Sequence, residues 1–110
     1  MIDGPKAIGY LGPRGTFSEE AAMLYKARMA REETRLRPFS SIVELILAAD
    51  EEVIHEAVVP LENSLEGPVA VTLDMLAHEV DLKIAAEIIV PVRHYLLGRR
   101  GTDYKQVKRV

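Results

Sequence analysis

Cysteine is absent from the 110 residues, so disulfides and thiolate metal sites are excluded. Long apolar runs are absent as well: none reaches the roughly 18 to 20 residues that span a bilayer. Residues 1–6 lack the basic, apolar and small-residue progression of a secretory leader. A cytoplasmic chain with no membrane partner is therefore expected. Nor is there a large excess of one charge. A net charge of −3 argues against a general nucleic-acid surface, although the last 18 residues gather Arg93, Arg99, Arg100, Lys105, Lys108 and Arg109. That tail could bind anions, but it is read as a solvated charged end. The length allows one small domain that buries about 60 to 70% of its unfolded surface.

What is present is an alternation of apolar runs and helical periodicity. Ala7–Leu11, Glu56–Leu61 and Leu82–Val92 are rich in branched residues and read as strands, as does Arg35–Phe39, where Pro38 removes a ladder donor and points to a sheet edge. Three helices fall between them. Phe17, Ala21, Leu24 and Arg28 set the face of the first; Ile42, Leu45, Ile46 and Ala49 set the second; Val69, Thr72, Leu73, Leu76 and Val80 set the third. Thr16 with Glu19, and Ser41 with Glu44, match the capping box, and Pro68 suits the first turn of the third helix. The order β-α-β-α-β-α-β predicts an α/β fold, a mostly parallel sheet flanked by helices.

Two strand-to-helix junctions carry the chemistry. The stretch GYLGPRGTFSEEAA, residues 9–22, ends a strand in Gly12-Pro13-Arg14-Gly15 and opens a helix at Thr16 and Ser18. In open α/β sheets, anions bind beyond the carboxyl ends of strands, at helix N-termini. A tight turn before a well-capped helix explains the same residues without a ligand. No Lys precedes Thr16 or Ser18 as in a P-loop, and Gly9, Gly12 and Gly15 do not make G-x-G-x-x-G, so nucleotide binding is not expected. The second junction, VVPLENSLEGPVAVT at residues 58–72, offers the Asn63 amide and the Ser64 hydroxyl. These could instead close an Asx-type turn. Following parallel strands, the two junctions should share one sheet edge and a cleft suited to a small polar acid.

GYLGPRGTFSEEAA, AVVPLENSLEGPVAVTLDML and VPVRHYLLG together resemble the amino-terminal half of the prephenate dehydratase catalytic domain, from Ile8 to Gly98. The resemblance implies one lobe, residues 6–110, of a two-lobed fold like that of type II periplasmic binding proteins. It implies a part in L-phenylalanine biosynthesis, where prephenate becomes phenylpyruvate with loss of carbon dioxide and water, without metal or organic cofactor. Gly15, Thr16, Ser18, Asn63 and Ser64 would bind the substrate, and Gly12 with Gly15 would allow close backbone approach.

Prephenate carries two carboxylates and a ring hydroxyl, which calls for N–H and O–H donors and one acid. The donors are here. An obvious acid is not: Glu62 and Glu66 would be repelled by a dianion and are read as structural. His55, His78 and His94 are too far apart in sequence for a local metal or triad motif and are read as surface or packing residues, His94 being the best placed for a role. The family's Ser-His-Pro-Gln segment, second lobe, Thr-Arg-Phe motif and ACT domain are not in this sequence. The resemblance therefore implies a lobe that supplies no catalytic residue, is inactive alone, and pairs with a copy of itself, as a dimer, through an uncovered face. The alternatives are a non-catalytic module that binds a small acid and an assembly module of the same fold.

Overall fold

The computed structural model describes residues 6–29, 33–63, 67–68, 70–90 and 93–99. Of the positions singled out above, Ser64, Glu66, Val69, Val92, Arg100, Lys105, Lys108 and Arg109 lie outside them, as do the side chains of Glu62, Asn63, Pro68, Arg93 and Arg99. The elements run β1 (Ala7–Leu11), α1 (Phe17–Arg28), β2 (Arg35–Phe39), α2 (Ile42–Asp50), β3 (Glu56–Asn63), β4 (Gly67–Pro68), α3 (Ala70–His78), β5 (Leu82–Ile89) and β6 (Arg93–Arg99). The class is α/β, and the strands lie in the order β2-β1-β3-β6-β5, with the short β4 paired to β3. None of the described helices is long and apolar enough to cross a membrane.

The expected parallel arrangement holds for β1, which pairs in parallel with both β2 and β3. It does not hold across the whole sheet. The apolar run Leu82–Val92 is not one strand: β5 ends at Ile89, and β6 returns antiparallel to it and to β3. Thus β5 points the same way as β1–β3, and β6 runs against its two neighbours. An antiparallel hairpin needs only a short connection, whereas a parallel partner would need a crossover of a dozen residues or more. Edge placement of β2, expected from Pro38, is observed.

Two cores result from strand alternation, which sends successive side chains to opposite faces. On one face, Ile8, Tyr10, Val58, Ile88 and Leu96 pack against Ala21, Ala22 and Tyr25 of α1. On the other, Ala57, Val59 and Leu97 pack against Leu45, Ile46 and Ala49 of α2 and Met75 of α3. Full burial of each large aliphatic side chain contributes about 1.5–3 kcal/mol. The face of α2 is the expected one, with Ile42 packed at its margin.

The faces of α1 and α3 differ from the apolar pattern. Helix α1 buries Ser18, Ala21, Ala22 and Tyr25, one position along from the Phe17 series, and leaves Phe17 exposed. Polar groups go inside here because they find partners: the Tyr25 hydroxyl donates to the buried Glu56 carboxylate at 3.1 Å. Helix α3 keeps Thr72 and Leu76 of the expected face against the core, as does Val80 just beyond its end, and departs from that face in adding Met75 and turning Leu73 outward. Pro68, expected in its first turn, instead lies in β4 opposite Glu62.

Candidate functional site

The turn after β1 is built mainly from bonds within the chain. The Gly12 amide donates to the Phe39 carbonyl at 2.8 Å, fastening the turn to the end of β2. A Cβ on Gly12 would lie 3.1 Å from the Cβ of Pro38, so the close approach made by Gly12 is to the neighbouring strand. The Gly12–Pro13 peptide is cis, and Gly15 has φ +86°, a left-handed conformation that glycine adopts without a Cβ penalty.

Thr16 is the N-cap of α1, its hydroxyl oxygen accepting from the Glu19 amide at 3.3 Å. The same hydroxyl donates to the Leu11 carbonyl at 3.2 Å. A hydroxyl has one proton, so Thr16 has none left for a ligand in this arrangement. Glu19 departs from the usual capping box. Its carboxylate reaches past Thr16 to the Gly15 amide, 2.8 Å from Oε1, while Oε2 accepts from the Tyr10 hydroxyl at 3.1 Å. Burial first, then this carboxylate, push the Tyr10 phenol above its ordinary pKa, with Arg14 acting in the opposite sense. The negative charge implied by the turn's composition is thus supplied, at Gly15, by the chain itself.

Ser18 is buried, with Oγ 3.1 Å from Nε2 of His94, which is also buried. This pair spans 76 positions of sequence and joins the N-terminus of α1 to β6, where His94 lies opposite Pro60 of β3. Ser18 therefore ties the start of α1 to β6 beneath the surface. His94, read from sequence as a surface or packing residue and the best placed of the three histidines for a role, is one half of this tie; its closeness to Ser18 depends on the β5–β6 hairpin, which the apolar pattern concealed. His55 sits at the opposite end of β1, accepting from the Ala7 amide at 3.0 Å, and His78 closes α3 on the surface.

The first-turn amides of α1 remain the natural anion donors at this junction, because the opening N–H groups of any helix lack a partner four residues back. An open groove lined by Gly15, Thr16, Glu19, Glu20, Met23 and Leu24 runs along the outside of α1. Its two carboxylates make it a poor receptor for a dianion.

The second junction lies on the same sheet edge. Tyr10 pairs with Val58, so Leu11 falls beside Val59, and β3 continues through Pro60, Leu61, Glu62 and Asn63. At about 3.3 Å per residue, β3 projects roughly 13 Å past the end of β1. The projecting end is held by β4, with Asn63 opposite Gly67, and by the Thr72 hydroxyl, which donates to the Pro60 carbonyl at 3.1 Å. This places the Asn63 backbone beyond the first junction, on the side toward which the strands point.

A family model described as prephenate dehydratase matches residues 8–110. A prephenate dehydratase of Mycobacteroides abscessus is 41% identical over 112 residues, covering 94% of this chain and 34% of that protein. One from Bacillus subtilis is 39% identical over 105 residues, covering 94% of this chain and 35% of that protein. The solved structure of a prephenate dehydratase from Streptococcus mutans superposes with a TM-score of 0.77 at 36% identity, over 86% of this chain and 50% of that one. The chain thus spans about a third of the curated relatives it matches.

Proposed function

The chain belongs to the prephenate dehydratase family, and we propose that residues 6–110 form lobe one of a catalytic domain that binds prephenate. The overall reaction takes prephenate and one proton to phenylpyruvate, carbon dioxide and water. The bond from the ring to its carboxylate breaks, its electron pair enters the ring, and the ring hydroxyl leaves as water once protonated. In this reading the chain binds and orients. The first-turn amides of α1 receive one carboxylate, and Asn63, which ends β3, and Ser64 donate to the substrate, as the family resemblance implies. Gly15 and Thr16 shape the turn, and Ser18, through His94, holds α1 against β6. The proton for the leaving hydroxyl comes from elsewhere, because the Thr16 proton is committed to Leu11 and a carboxylate beside a dianion would be repelled.

The observation that supports this reading best is the placement of both junction motifs at one sheet edge, the turn at the end of β1 lying beside the projecting end of β3. We extend the proposal to a cytoplasmic homodimer that uses no metal or organic cofactor. Titration of the isotope-labelled chain with prephenate at neutral pH tests it: the amide signals of Phe17, Ser18 and Asn63 should shift together and saturate. Phenylpyruvate should form no faster than in the spontaneous reaction. Absence of saturable shifts at either junction overturns the substrate assignment, and turnover above background, abolished by Ser64→Ala, overturns the reading that the acid comes from elsewhere.

A further inference from the structure

We propose that Glu19 is a positioning residue: by bridging the Tyr10 hydroxyl and the Gly15 amide, its carboxylate holds the turn before α1 in the shape that receives a ligand carboxylate. The proposal rests on the prephenate-binding reading and deepens it.

The argument begins with what holds Gly15. The residue is in a left-handed conformation, and a Cβ built on it would find no atom within 4 Å, so packing does not fix it. Glycine also loses more conformational freedom on ordering than any other residue. The bond from its amide to Glu19 Oε1, at 2.8 Å, supplies the restraint. That restraint would be weak if Glu19 were itself loose, but its other oxygen accepts from Tyr10, a buried residue of β1. The carboxylate therefore connects a sheet strand to the turn, and the Glu19 amide, bonded to Thr16 Oγ1, connects the same residue to the N-cap. Glu19 thus meets the strand, the turn and the cap at once.

A carboxylate on Gly15 could instead compete with a ligand for that amide. The geometry favours support, because Tyr10 holds the other carboxylate oxygen in place, so a ligand carboxylate taking the Gly15 amide would lie against the Glu19 carboxylate and be repelled; the ligand is left to the first-turn amides beyond it. Preorganisation then gives Glu19 its effect on affinity: a turn already fixed loses less freedom when a ligand arrives.

The test compares Glu19→Ala, Glu19→Gln and Tyr10→Phe in the 110-residue chain, reading prephenate affinity and Gly15 amide hydrogen exchange. Gln keeps a carbonyl for Gly15 and an NH2 group for the Tyr10 oxygen. Glu19→Ala should weaken prephenate binding about tenfold and speed Gly15 exchange by a similar factor, whereas Glu19→Gln should restore both to within about threefold of the parent. Tyr10→Phe removes only the strand tether and should fall between the two. A parent chain that binds no prephenate overturns the functional reading, and Gly15 exchange still judges the clamp. Unchanged Gly15 exchange in Glu19→Ala overturns the clamp itself. A parent that binds while Glu19→Ala binds equally well or more tightly overturns the positioning role and leaves Glu19 as a bystander or a competitor.

Discussion

Two residues of the first junction, Tyr10 and Gly15, are drawn together by Glu19 into a restrained turn, and each makes a separate claim on stability. Tyr10 holds its proton more tightly in the folded chain than its ordinary pKa of 10.0 implies, because burial and then Glu19 penalise the phenolate. The folded state therefore binds this proton more strongly than the unfolded state. The associated stabilisation is fully present below about pH 10 and is lost as pH rises through the folded value. Urea melts between about pH 8 and pH 11 should show a loss in the parent that Tyr10→Phe reduces; parallel losses in both would refute the assignment. Gly15 makes a different claim. Because its surroundings are open, Gly15→Ala meets no steric obstacle and should cost only the left-handed backbone penalty, about 1–2 kcal/mol. A larger loss in thermal melts would mean that the turn has a tighter neighbour than Glu19. Thr16 was legible from sequence as a cap, and its hydroxyl does cap. The commitment of its one proton to Leu11 was not legible, since it depends on where the strand's last carbonyl points.

At the scale of the element, α2 ends in a motif whose key position holds an unusual residue. The Val53 amide donates to the Ala48 carbonyl at 2.8 Å and the Glu52 amide to the Ala49 carbonyl at 3.3 Å, the paired bonds of a Schellman motif. Its left-handed residue is Glu52, with φ 63°, where glycine is usual. Glu52→Gly relieves about 1–2 kcal/mol of backbone strain but adds freedom to the unfolded chain and removes the interaction that the Glu52 side chain makes, so stability should stay within about 1 kcal/mol of the parent. Chemical denaturation measures it, and a larger destabilisation would show that the Glu52 side chain contributes more than its backbone costs. The bounds of β1 and β2 followed from apolar runs and turn residues, and the face of α2 followed from periodicity. The β5–β6 hairpin did not, because Val90-Pro91-Val92 contains no glycine, asparagine or aspartate to mark a reversal. The same run hid His94, so the Ser18–His94 tie was out of reach from the sequence. The inward turn of Ser18 and Tyr25 was hidden for a related reason: hydrophobic periodicity cannot register a polar side chain whose partner lies on a distant strand.

At the scale of the whole molecule, the two sheet edges are guarded unequally, and this bears on self-association. Strand β2 exposes Arg35, Arg37 and Pro38, and the Arg37 guanidinium lies over the Phe39 ring at 5.0 Å from its centroid. Charge and a missing donor are features that keep an edge from pairing with another chain. At the other edge, β5 is paired only with β6 among the described strands, and its Ile84 is 47% exposed. A two-fold partner could add its own β5 antiparallel to this one, completing both ladders and covering both Ile84 side chains. The 110-residue chain should therefore form a dimer whose population rises with concentration, as mass action requires. Ile84→Lys should return it to monomer with little change in the fold, because the side chain is half in solvent already. Sedimentation equilibrium across a wide range of concentrations checks both expectations. A monomer mass independent of concentration would overturn the dimer, and a dimer unaffected by Ile84→Lys would move the interface away from β5.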